Sequence, residues 1–138
     1  MSYLLDTNVL SELRKAERAD ANVRAWFAQA KERELFTSVL VHGEIRRGVE
    51  LLRRRDEVAA LALDHWLSRL QETFADRVLD VDVDVAECWA RLSVPDPVPV
   101  VDGLLAATAL VHGLTLVTRN LKDVVRTGVP VLDPFCPD

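Results

Sequence analysis

The chain has 138 residues, 49% of them apolar, which is long enough for one packed domain and too hydrophobic for a disordered one. A net charge of −5 argues against binding nucleic acid through overall charge, while leaving room for local basic patches beside an acidic site. The apolar runs are too short to span a bilayer, Met1-Ser2-Tyr3 opens no secretory signal, and Cys88 and Cys136 match no zinc or disulfide spacing. The expected setting is therefore a reducing cytoplasm with no membrane attachment.

Tyr3-Leu4-Leu5 reads as a short buried strand that stops at Asp6, followed by Thr7 and Asn8. Helices are predicted over Val9 to Lys15 and Ala21 to Ala30, the second with Trp26, Phe27 and Ala30 on one face. Glu34 to Ser38 reads as a second strand, and Ser38 as the cap of a long helix with Val41, Ile45, Val49 and Leu52 on its apolar stripe. Arg53-Arg54-Arg55-Asp56 interrupts that stripe, and Val58 to Phe74 resumes it in a further helix. Arg77 to Val81 is expected as a third strand, with Asp84 opening a helix to Leu92. Pro95, Pro97 and Pro99 exclude regular structure from the next loop. Asp102 to His112 is strongly helical and ends at Gly113; Leu114 to Thr118 and Val129 to Leu132 complete the strands. Strands alternating with helices predict a mostly parallel sheet of four or five strands, covered on both faces, in a single domain over residues 1–138.

Four acids fall where such a sheet would gather them. Asp6 ends the first strand, Glu44 lies on the helix after the second, Asp102 opens the helix after the proline loop, and Asp123 follows the fourth strand. Each has a plainer alternative. Asp6 and Asp102 could simply cap helices, Glu44 could reach water from the border of its apolar face, and Asp123 could be a loop residue. Gathered in one pocket, the four would repel one another and raise their pKa values, so the cluster would call for cations. Oxygen donors without Cys or His suit Mg²⁺ or Mn²⁺ rather than zinc, and the chemistry that follows is phosphodiester hydrolysis.

Four segments in this order carry a resemblance: Leu5-Asp6-Thr7-Asn8-Val9-Leu10-Ser11-Glu12; Thr37-Ser38 through Gly43-Glu44-Ile45 to Gly48; Val101-Asp102-Gly103-Leu104-Leu105-Ala106-Ala107-Thr108-Ala109; and Leu116-Val117-Thr118-Arg119-Asn120 through Asp123. The chain resembles the PIN-domain ribonucleases, and most closely the VapC-type toxins of bacterial type II toxin–antitoxin pairs. The resemblance implies a three-layer α/β/α sandwich and a Mg²⁺-dependent endoribonuclease. It implies Asp6, Glu44 and Asp102 as the core metal-binding carboxylates, with Asp123 at the fourth acidic position of one branch. Other members place an acid earlier in that last segment, where this chain has Asn120, which brings no charge. Thr7, Asn8, Thr118 and Asn120 look like groups that orient the carboxylates through hydrogen bonds. A homodimer, a cognate VapB-type antitoxin that sends a basic side chain to the acidic pocket, and an RNA substrate are also implied.

Other features are set aside. Asp80-x-Asp82-x-Asp84 starts like a calcium loop, but Val85 and Arg91 stand where that loop needs Gly and Glu. His42 is two residues from Glu44, which a helix turns to a different face. Arg14, Lys15 and Arg119 are better placed for RNA backbone contacts than Arg46, Arg47 or the run Arg53 to Arg55, while Trp26, Phe27, Trp66 and Trp89 suit a core or an interface. Two competing readings change the activity. One is a non-catalytic module binding RNA or a partner; the other is a Mg²⁺-dependent phosphatase with Asp6 as nucleophile, against which Asn8 stands where a second acid is needed.

Overall fold

A computed structural model describes Met1 to Cys136; the end of the expected domain, residues 137–138, lies outside the described residues. Five short strands, β1 (Tyr3–Leu5), β2 (Leu35–Ser38), β3 (Val78–Leu79), β4 (Thr115–Val117) and β5 (Val131–Leu132), form one sheet in the order β3-β2-β1-β4-β5. Every pairing is parallel, with Leu4 opposite both Phe36 and Leu116. The helices are α1 (Thr7–Leu13), α2 (Ala21–Gln29), α3 (Val39–Arg53), α4 (Glu57–Thr73), α5 (Val83–Leu92) and α6 (Val100–His112). From β1 the chain steps to β2 and β3, then jumps back over to β4. With right-handed crossovers, that reversal puts α1 to α4 on one face and α5 and α6 on the other. The helix packing falls into the same two sets, α1–α2, α1–α3 and α3–α4 against α5–α6. The sandwich therefore has three layers, as expected.

The middle strands are buried on both sides, which is why they read as unbroken apolar runs. Leu4 and Leu5 of β1 and Leu116 and Val117 of β4 are fully or almost fully buried. They pack with Val9 and Leu10 from α1, Val41 and Ile45 from α3, Leu67 and Leu70 from α4, and Leu105, Ala106 and Ala109 from α6. Among the described residues no helix is long and apolar enough to cross a membrane.

Several boundaries differ from the sequence expectation for local reasons. The first helix starts at Thr7 rather than Val9, because Asp6 itself is the cap and accepts the Thr7 N–H. The helix expected from Asp84 starts at Val83, since Asp82 accepts the Val85 N–H and leaves Asp84 inside the first turn. The Ala-rich helix begins at Val100 behind Pro99, so Asp102 lies in the first turn and is not its cap. Phe27 is 41% exposed, while Val23 is the buried residue of α2. Ser38 does cap α3 by accepting from Leu40, and Gly113 ends α6 in the left-handed conformation at φ 67°.

Candidate metal centre

The carboxyl ends of β1, β2 and β4 lie side by side, and the chain emerging from each delivers part of the site. Asp6 leaves the end of β1 with 7% of its surface exposed and is held from both sides. Its backbone N–H donates to the Val117 carbonyl at 3.0 Å, which ties it to β4. Its Oδ1 accepts the Thr7 N–H at 2.7 Å, and its Oδ2 accepts the Thr118 hydroxyl at 2.8 Å and the Asn8 amide at 3.4 Å. Asp6 thus caps α1 through one carboxylate oxygen while the other is held by Thr118 and Asn8 at the sheet edge. Burial raises its pKa, and the Thr118 and Thr7 hydrogen bonds oppose that rise.

Thr7 extends the chain of contacts to α3. Its hydroxyl donates to Glu44 Oε1 at 2.6 Å, across 37 residues of sequence. Glu44 is exposed and belongs to the turn after Val41, so its head lies at the rim of the sheet edge above Asp6. On the other flank, Thr118 spends its whole hydrogen-bonding capacity here. Its hydroxyl donates to Asp6 and accepts from Asn8 Nδ2 at 3.3 Å and from the Asn120 N–H at 3.0 Å. Asn120 then donates through Nδ2 to Asp102 Oδ2 at 3.3 Å. A continuous path runs Glu44–Thr7–Asp6–Thr118–Asn120–Asp102, and Asn8 braces it by accepting the Arg119 N–H at 3.2 Å.

Asp102 is half-buried, and its pKa is raised to about 6. Desolvation is the largest cause, followed by the through-space charges of Asp6, Asp123 and Glu44. Asp123, half-buried in the turn Leu121–Asp123, joins the cluster through this field alone; it makes no hydrogen bond to the other three acids among the described residues. All four acids therefore share one neighbourhood. Asn120 supplies a donor where a further acid would add repulsion.

The chemistry of this donor set fits a hard divalent cation: only oxygens, like-charged and mutually destabilising. The nearest histidine in sequence, His42, is occupied elsewhere, its ring nitrogen 2.8 Å from the Thr37 hydroxyl. Among the described residues, no three His, Cys, Asp or Glu side chains are already gathered to hold one ion. Glu44 and Asp102 are instead turned onto neutral donors, Thr7 and Asn120.

One positioning contact went unread in the sequence. A Cβ on Gly103 would lie 3.0 Å from Cδ1 of Trp89 and 3.4 Å from Cβ of Val98. The indole of α5 thus presses on the backbone next to Asp102 and fixes the first turn of α6. The available signal was the glycine itself, a costly residue inside an otherwise strong helix. Of the expected RNA contacts, Arg119 is exposed at the site's edge, over the Phe135 ring at 4.4 Å, and Arg14 and Lys15 are exposed just past the far end of α1.

Comparison with known proteins gives a consistent set of likenesses. Residues 3–127 match the PIN domain family model. The chain is 33% identical to the plasmid stability protein StbB of Pseudomonas syringae pv. tomato, with 96% of this chain and 97% of that one covered. It is 30% identical to the VapC ribonuclease Y4jK of Sinorhizobium fredii, covering 97% and 98%. Its fold superposes on the crystal structure of FitAcB from Neisseria gonorrhoeae with a TM-score of 0.86 and 30% identity, over 96% of this chain and 98% of that one.

Proposed function

The chain belongs to the PIN-domain family, and we propose that it is a Mg²⁺-dependent endoribonuclease, the toxin of a VapBC-type pair. The observation that carries this reading is the hydrogen-bonded path that brings Glu44, Asp6 and Asp102 to one sheet edge, within the field of Asp123. Asp6, Glu44 and Asp102 would hold the ion, with Asp123 as a further negative charge; Mn²⁺ would substitute. When bound, the ion supplies neutralisation of the cluster and of the charge that develops on a phosphodiester under attack by water. The protein's own part is preorganisation. Thr7 and Thr118 fix both oxygens of Asp6, Thr7 holds Glu44 beside it, and Asn120 holds Asp102.

Asn8 supports attack by water on a phosphodiester over a phosphatase route with Asp6 as nucleophile. Its amide is spent on Asp6, Thr118 and the Arg119 N–H, so it holds the loop together and has no proton to give a leaving group. The same acidity that suits a cation suits a basic side chain from a VapB-type antitoxin, which would neutralise the cluster and exclude the metal. The toxin is expected to act as a homodimer in the cytoplasm.

The test is Asp6→Asn, purified free of any antitoxin and incubated with total RNA and Mg²⁺. Cleavage is expected to fall by about a thousandfold or more, since removing a charge at a preorganised centre costs several kcal/mol in the transition state. Wild-type protein should lose cleavage in EDTA. RNA cut by Asp6→Asn at the wild-type rate would overturn the assignment.

A further inference from the structure

On the α1 to α4 face, a cleft of about 410 Å³ opens between the end of α1 and the middle of α4. Arg14, Lys15 and Arg18 line it from one side, and Arg69 and Trp66 from the other. Lys15 pairs with Glu12 at 2.9 Å. Arg14, Arg18 and Arg69 have no acidic partner within ion-pair distance among the described residues. Arg14 lies with its guanidinium carbon 5.9 Å from the Trp66 ring centre, and the half-buried indole is the one large aromatic of the cleft. In a chain of net charge −5, this gathering of cations is local and opposed to the overall balance.

Its position relates it to the acids. Helix α1 starts at Thr7, in the site, and ends at Leu13, one residue before Arg14. Seven residues of helix span about 10 Å, the length of roughly three stacked nucleotides. Arg119 stands between the two regions: its backbone is bound to Asn8, and its charge acts through space on Glu12, the partner of Lys15. A cationic groove with an aromatic ring, leading away from an acidic centre, is the arrangement that tracks a single strand by phosphate contact and base stacking.

We infer that the cleft between α1 and α4 binds the single-stranded RNA substrate a few nucleotides from the scissile phosphate, with Arg14, Arg18 and Arg69 on phosphates and Trp66 against a base. This rests on the nuclease reading and adds where the strand runs. It extends the expected contacts Arg14, Lys15 and Arg119 by three residues that sequence did not single out for RNA: Arg18, Trp66 and Arg69.

The experiment measures binding apart from cutting. A fluorescent 12-nucleotide single-stranded RNA is titrated with antitoxin-free full chain in EDTA, across a salt series, by anisotropy. The variants are Arg18→Gln with Arg69→Gln, Trp66→Leu, and, as control, Arg54→Gln with Arg55→Gln, which sit outside the cleft. All are checked for folding by thermal unfolding. The cleft pair is expected to weaken binding about tenfold at low salt and to flatten the log K against log salt slope by roughly 0.7 for each phosphate no longer neutralised. Trp66→Leu should weaken binding with the salt slope unchanged, and the control should match wild type. Wild-type affinity and slope in the cleft pair would overturn the inference. So would a cleft pair that keeps RNA binding but no longer holds its antitoxin, which would give the cleft to a protein. Failure of the nuclease reading looks different: wild-type chain that binds RNA yet leaves it uncut in Mg²⁺.

Discussion

At the amino edge of the sheet, just before β3, the Arg77 guanidinium is wholly engaged within the protein. It donates to the carbonyls of Glu32 at 2.6 Å, Leu35 at 2.7 Å and Thr73 at 2.6 Å, reaches Glu32 Oε1 at 3.4 Å, and lies over the Phe74 ring at 4.9 Å. At the carboxyl edge, Glu44, Asp6 and Asp102 are linked through hydroxyls and amides, within the field of Asp123, and no Lys or Arg side chain stands in that path among the described residues. The first arrangement completes itself and ties together α4, β2 and β3. The second is held rigid by its neighbours yet left electrically unbalanced, which is what a site needs if an outside charge is to dock there. One edge spends its charge on carbonyls of its own fold; the other meets its carboxylates with neutral donors only.

The sharpest way to break this contrast is Arg77→Leu. With its side chain 11% exposed, removing the guanidinium leaves carbonyls on two elements without their donor. Unfolding stability is expected to fall by about 2–3 kcal/mol, read from denaturant midpoints, with RNA cleavage by the remaining folded protein unchanged. Thr118→Val probes the other edge at similar size. It strips one donor from Asp6 and the acceptor from Asn8 and Asn120, so about 1–2 kcal/mol of stability should go with it. Here, unlike at Arg77, cleavage should drop as well, by roughly 10–100-fold.

The smallest effect is a pH dependence of the metal-free protein. Because Asp102 titrates near 6 in the fold against an ordinary 3.8, the folded state holds more protons between those values. Its contribution to stability therefore falls as pH rises through that interval. His42, whose pKa burial lowers from 6.5, pulls the other way, so the comparison is with Asp102→Asn. Between pH 5 and 7.5 in EDTA, wild type should lose stability relative to that variant. Mg²⁺ should raise the wild-type melting temperature more at pH 7.5 than at pH 5. A flat difference would mean that neither desolvation nor the neighbouring acids raise the Asp102 pKa.

Much of the layout was legible in the chain itself. Ser38 before Val41, Ile45 and Val49, and Gly113 after the alanine-rich run, signal their helix ends by local chemistry, which short windows of sequence contain. The strand-end position of Asp6 follows from the same kind of reading. What could not be read were registers between distant segments. Nothing near Thr7 says that its hydroxyl will meet Glu44, and nothing near Arg14 says that Arg69 will face it, because α3 and α4 take their positions from packing. The start of α6 was misplaced for a related reason. Val100 and Val101 look like poor opening residues, and the helix nonetheless starts there behind Pro99, which seats Asp102 in its first turn.

The strand order has a consequence in time. The neighbour that closes the second side of β1 is β4, more than a hundred positions later in translation, and it brings the Val117 carbonyl, Thr118 and Asn120 with it. A nascent polypeptide already carrying Asp6 and Glu44 still lacks the Thr118 hydroxyl that holds Asp6 and the Asn120 amide that holds Asp102. The two halves of the acidic edge therefore come together only after β4 has been made and has docked beside β1.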